Sequence, residues 1–190
     1  MTFDIVLAGV GGQGVLSLAA VIAAAARREG RQVLQSEVHG MSQRGGAVSA
    51  HLRIADGEIA SALIPAGTAR MVLGLEPLES LRHLLWLSPD GRVVTASAAV
   101  TNFEEYPPIA AVKGELDRLP RVTVVDAERL AHAAGLPRAT NMVLAGAASR
   151  YMPIDAATLE AVLRERFAAR GEQVALRNLA AFRAGREASS

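Results

Sequence analysis

Short apolar runs and longer amphipathic ones take turns along the chain. Residues 3–8, 32–36, 71–75, 92–96 and 122–125 have the length of buried strands, and residues 47–54 alternate as a strand with one wet face does. Longer runs predict helices at 15–28, 127–134, 141–150, 156–169 and 173–183, with Asp155 as an N-cap before the third of the C-terminal four. Glu76-Pro77 opens a further helix to about residue 85, since proline suits a first turn. Asp56-Gly57 reads as a turn joining 47–54 to a short strand at 59–63, which makes these two a hairpin. The Pro-rich stretch around Tyr106-Pro107-Pro108 reads as irregular. Strands alternating with helices predict an α/β fold, a three-layer Rossmann-like sandwich around a mainly parallel sheet with an antiparallel hairpin. One domain, 1–190, is expected from the length.

Residues 5–26 carry no charge and are long enough to cross a bilayer, which needs about 20 apolar residues. Gly9, Gly11, Gly12 and Gly14 crowd the first half, Gln13 sits among them, and only the acidic Asp4 lies just before the run. The run is therefore expected to be a strand, a tight turn and an alanine-rich helix, in a cytoplasmic protein without a membrane segment. Alanine at 19, 20, 23, 24, 25 and 26 leaves that helix little bulk, so it can lie close to a sheet. Gly30 ends it after Arg27 and Arg28, whose charge suits a helix C-terminus.

Net charge is +1, from 20 basic and 19 acidic residues, and no basic run occurs, which argues against nucleic acid as a partner. The chain has 0 cysteines, so it supplies no thiolate for an iron–sulfur cluster or a zinc site, no catalytic thiol and no disulfide. The 4 histidines show no paired metal-site spacing, and neither a Walker loop nor a G-x-S-x-G elbow is present.

Two segments carry candidate chemistry. Gly9-x-Gly11-x-x-Gly14, between a strand and a helix, has the spacing of the dinucleotide fingerprint, in which glycine permits the turn and helix N–H groups meet an anion. Glu37, after the second strand, stands about where a ribose-binding acid would. The loop 37–46 gathers Glu37, His39, Ser42, Gln43 and Arg44 between glycines including Gly45, so its guanidinium and backbone amides suit a phosphate or carboxylate. Turn and loop follow strands expected to be neighbours, and one crevice would then hold both. Structural roles suit the same glycines equally well, as close helix–sheet packing or a partner surface. His51, His83 and His132, in a strand and two helices, are expected to be structural.

GVGGQGVL at 9–16, SEVHGMSQRGGAVSAHLR at 36–53, LIPAG at 63–67, LGLEPLESLR at 73–82 and NMVLAGAAS at 141–149 together resemble the gamma-type domain of 2-oxoacid:ferredoxin oxidoreductases. Within that family the likeness is greatest to the small (beta) subunits of the indolepyruvate branch. The resemblance implies a subunit of an enzyme that decarboxylates an aryl pyruvate on thiamine diphosphate. It also implies electron transfer through iron–sulfur clusters to ferredoxin or another carrier, and release of an acyl-CoA. Thiamine diphosphate, magnesium and the clusters would belong to the large subunit, the main partner, with CoA as cosubstrate. A homodimer of heterodimers is one arrangement of the whole. Absence of a Gly-Asp-Gly start to a thiamine–magnesium motif agrees with that division. Gly9, Gly11, Gly12, Gln13 and Gly14 would form a backbone-lined surface, and His39, Gln43 and Arg44 would face the large subunit, bordering the CoA or active-site channel. No residue stands out as a catalytic acid, base or nucleophile. A stand-alone NAD(P)- or FAD-binding Rossmann oxidoreductase, using the fingerprint directly, is the second reading left open by the residues.

Overall fold

The computed structural model describes residues 1–39, 46–101 and 105–189, with His39 given by its backbone alone. The strands are β1 Thr2–Val10, β2 Gln32–His39, β3 Ala47–Ala55, β4 Ala69–Gly74, β5 Leu87–Ala96 and β6 Val122–Val125, in the sheet order β2-β3-β1-β4-β5-β6. β1, β4, β5 and β6 run parallel, while β3 runs against both β1 and β2. The fold is thus the expected α/β sandwich with a mainly parallel sheet. Its antiparallel hairpin, however, is β2–β3, closed by residues 40–46, rather than 47–54 with 59–63.

Residues 59–63 form no strand, because their carbonyls serve a side chain: Arg53 Nη1 donates to the carbonyls of Ser61 and Leu63 at 3.1 and 3.3 Å. The same guanidinium pairs through Nε with Asp4 on β1 at 3.0 Å. β3 is consequently wedged between β1 and β2, which were expected to be neighbours. β1, now central, buries Ile5, Val6, Leu7 and Ala8 completely, which explains the uncharged run.

The helices are α1 Val15–Arg28, α2 Pro77–Arg82, α3 Ile109–Asp117, α4 Ala127–Ala133, α5 Thr140–Ser149, α6 Ala156–Ala168 and α7 Glu172–Ala188. α2 stops three residues short of the expected end, and a 3₁₀ turn follows at Leu84–Trp86. α3 lies in the stretch read as irregular: Pro107-Pro108 is its N-terminal punctuation, and a stripe of only Val112 and Leu116 is buried, too narrow for periodicity to show. One sheet face packs against α1, α4, α5, α6 and α7. The other carries α2, the 3₁₀ turn and α3 over Val6, Val72 and Val93.

α5 and α7 cross backbone to backbone. A Cβ on Gly146 would lie 1.8 Å from the Phe182 carbonyl oxygen, and one on Gly185 would lie 1.9 Å from that of Val143. Arg186 Nη1 donates to Ser149 Oγ at 2.7 Å and Arg150 Nε to the Arg186 carbonyl at 2.6 Å, tying the ends of the crossing.

Where the hairpin leaves the second face uncovered, a groove is lined by Val38, Ala47, Ser49, His51, Leu63, Ile64, His83 and Trp86. His51 Nδ1 accepts the Ile64 N–H at 3.1 Å, so the neutral ring carries its proton on Nε2. Trp86 meets His51 edge-on and stacks on His83, with centroids 5.5 and 5.3 Å apart. Burial pulls the His51 imidazole below its ordinary pKa, His83 pulls it further and Asp4 opposes.

Gly185→Ala should cost about 2 kcal/mol or more, because overpacking outweighs the gain in helix propensity. Gly114→Ala, whose Cβ would meet nothing within 4 Å, should stabilise by roughly 0.5–1 kcal/mol; denaturant unfolding of both variants measures the pair, and equal signs would refute the close crossing. For His51, the unfolded imidazole protonates first on acidification, so its share of stability is present above pH ~6.5 and is lost below it. Unfolding free energies followed from pH ~7 to ~5 should fall less steeply in His51→Asn than in the parent, and equal slopes would contradict the assignment.

Candidate functional site

The C-terminal ends of β1, β4, β5 and β6 share one edge of the sheet, where ligands of parallel α/β folds gather. The glycine turn joins β1 to α1 there. Its shape comes from Gln13, whose side-chain amide is held at both ends: Oε1 accepts the Val10 N–H at 2.8 Å and Nε2 donates to the Leu75 carbonyl at 3.0 Å. Leu75 N–H in turn donates to the Ala8 carbonyl at 2.8 Å. Gln13 thus clasps the ends of β1 and β4 together.

Gly14, left-handed at φ 86°, is the N-cap of α1. No side chain caps the helix and its first turn holds no acid, so the N–H groups of Val15, Leu16 and Ser17 precede the first intrahelical donor, the Leu18 N–H that bonds the Gly14 carbonyl at 3.0 Å, with positive dipole charge around them. Asn141 Nδ2 donates to the Gly14 carbonyl at 3.4 Å, and a Cβ on Gly14 would lie 2.5 Å from that nitrogen. Gly12, at φ 100°, is exposed, and a Cβ there would meet nothing within 4 Å. The turn therefore exposes backbone that another molecule can approach closely.

Of the residues expected in the site, Gly9, Gly11, Gly12, Gln13 and Gly14 lie together in this turn. The loop leaving β2 at His39 returns at Gly46, whose carbonyl accepts the Gly11 N–H at 2.9 Å, so its returning end is fastened to the turn. Ser42, Gln43, Arg44 and Gly45 lie outside the described residues, and so does the His39 side chain. Glu37 stands on β2 with β3 between it and β1, about 10 Å away across two strand spacings, and accepts from Gln35 Nε2 at 2.6 Å. Gly46 reaches the turn at the start of β3, because β3 and not β2 is the neighbour of β1.

Sequence reasoning missed the neighbouring cluster. Glu76, 1% exposed, caps α2: Oε2 accepts the Glu79 N–H at 2.8 Å, while Oε1 accepts the Tyr106 hydroxyl at 2.5 Å and the Val100 N–H at 3.4 Å. Ser80 Oγ donates to Thr95 Oγ1 at 2.7 Å beneath it. Burial, then the bond to the Glu76 carboxylate, pushes the Tyr106 hydroxyl far above its ordinary pKa, so it stays a donor. The cluster ties the chain after β5 to α2 beside the turn. An acidic residue directly before a helix-opening proline was the available signal.

Among the described residues, no helix is long and apolar enough to cross a membrane and no group of three or more His, Asp or Glu side chains converges as a metal site.

Residues 4–188 match the family described as pyruvate ferredoxin/flavodoxin oxidoreductase. The indolepyruvate oxidoreductase subunit IorB of Archaeoglobus fulgidus is 38% identical over 174 residues, covering 87% of this chain and 86% of its own length. The subunit of the same name from Methanothermobacter thermautotrophicus is 36% identical over 194 residues, covering 97% of this chain and 96% of its own. Among solved structures, the gamma subunit of a keto/oxoacid ferredoxin oxidoreductase from Geobacter sulfurreducens has a TM-score of 0.73 at 23% identity, over 98% of both chains. A 2-oxoglutarate:ferredoxin oxidoreductase from Magnetococcus marinus, solved with 2-oxoglutarate, coenzyme A and succinyl-CoA bound, has a TM-score of 0.78 at 24% identity, over 99% of this chain and 31% of that one. The match along nearly the whole sequence replaces the stand-alone Rossmann reading: the chain belongs to the pyruvate ferredoxin/flavodoxin oxidoreductase family, in a subunit of a 2-oxoacid oxidoreductase.

Proposed function

We propose that this chain is the small subunit of a cytoplasmic indolepyruvate:ferredoxin oxidoreductase, and that its glycine turn with the loop 39–45 borders the place where CoA meets the large subunit. The observation that carries the first part is the near end-to-end match to subunits of that name, with 97% of this chain aligned. The cofactors expected of such an enzyme do not suit the donors here. With 0 cysteines there is no thiolate for an iron–sulfur cluster, and no Gly-Asp-Gly begins a thiamine–magnesium motif. Thiamine diphosphate, magnesium and clusters are accordingly assigned to the large partner subunit, and electron delivery to ferredoxin or another carrier takes place there.

What this chain offers is a shaped backbone. The uncapped start of α1 favours an anion, Gly12 leaves its backbone open to one, and CoA carries phosphates. Gln13 is spent as a clasp and Glu76 as a cap, so neither is assigned to chemistry. Arg44 supplies the matching cation from the loop. The Magnetococcus enzyme, 31% of which this chain matches in fold, was solved with coenzyme A and succinyl-CoA bound, which supports CoA as a cosubstrate of the whole complex.

Co-expression with a large thiamine-dependent subunit should give a complex that oxidises indolepyruvate in a CoA-dependent way, while the isolated chain shows neither that activity nor tight binding of NAD, NADP or FAD. Tight nucleotide binding by the isolated chain and no association would overturn the reading. In the complex, Ser17→Asp places a carboxylate in the first turn of α1, and Arg44→Ala removes the cation. Each should raise the KM for CoA about tenfold or more, the scale of one charge contact, with the KM for the oxoacid unchanged. Wild-type CoA kinetics in both variants would remove the turn and loop from the CoA site.

A further inference from the structure

We infer that two copies of this chain join edge to edge through β2, extending both sheets into one across a two-fold axis. β2 ends the sheet, eight residues long, with an uninterrupted register to β3 and no proline or lysine to guard its outer edge. Among the described residues, one side chain reaches its backbone: Arg27 Nη2 donates to the Val33 carbonyl at 3.4 Å, near the strand's beginning.

The strand is complementary to itself in one register. Val33 packs on the α1 side, so Gln35 and Glu37 share that face, while Leu34, Ser36 and Val38 face the groove. Centring an antiparallel pair on Ser36 sets Leu34 opposite Val38 of the second copy, twice, and Gln35 opposite Glu37, twice. Leu34 and Val38 are 37% and 61% exposed, and beside them lies Leu63 at 60%, so pairing covers apolar surface on a strand that already leads into the groove. Gln35 Nε2 already bonds the Glu37 carboxylate within one strand at 2.6 Å, the same partner type that the pairing offers between strands. The other registers are poorer. Centring on Gln35 buries Glu37 against Val33, and centring on Glu37 opposes two carboxylates. A two-fold interface of this kind joins two small subunits, and through them two copies of the complex.

The chain's lack of cysteine makes the test direct. Ser36→Cys places two thiols opposite each other at the axis, within the Cα spacing that a disulfide accepts. Ala110→Cys, an exposed position on α3, is the control. In the reconstituted complex and in the isolated chain at about 10 μM under mild oxidant, the Ser36→Cys variant should form a small-subunit dimer roughly a hundredfold faster than the control. Adding Leu34→Lys and Val38→Lys should abolish that advantage while circular dichroism stays native. Cross-linking no faster than the control, or linkage of position 36 to the large subunit alone, would overturn the proposal.

Discussion

The candidate site edge of this molecule rests on one side-chain amide. A strand ending at a sheet edge has no further ladder to hold it, and here two parallel strands must end side by side while one of them turns at once into a helix. Gln13 closes that gap by accepting from Val10 on β1 and donating to Leu75 beyond β4. Because its oxygen takes an N–H and its nitrogen gives to a carbonyl, the amide has only one orientation that satisfies both neighbours. Gly14 then starts α1 in a conformation that side chains avoid, with Asn141 against it. The result is a helix start left uncapped at the sheet edge where this architecture binds ligands.

Small residues let elements of the helical layer approach closely: α1 buries Ala19, Ala23, Ala25 and Ala26 beside Leu18 and Ile22, and α5 meets α7 through Gly146 and Gly185. On the other side of the turn, the Glu76 carboxylate holds the start of α2, Val100 and Tyr106 in one buried cluster. A rim assembled in this way presents backbone amides beside the uncapped start of α1. With 0 cysteines, the chain brings no thiolate to that rim.

Much of this was legible in the sequence because it is local. The strand, glycine turn and alanine helix at 3–28, the parallel strand at β4 and the C-terminal helices follow from runs, caps and punctuation. What was not legible depends on pairing. Alternation along 47–54 shows which side chains share a face but not which strand lies beside them, and Asp56-Gly57 imitated a hairpin turn. The true partner was decided by residues far apart, with Arg53 using the carbonyls at 61 and 63 that a strand would have needed. α3 escaped because two buried residues in nine make no period, and Gln13 looked like a ligand contact because nothing local reveals that Leu75 lies within its reach.

The role of the turn depends on whether α1 begins at an anion site made of backbone. Hydrogen exchange of the reconstituted complex, measured peptide by peptide with and without CoA, addresses that directly. Amides at 12–17 should gain protection when CoA is added, while Val10, already bonded to Gln13, should be protected in both states. Unchanged exchange across 12–17 on saturation with CoA would contradict the account.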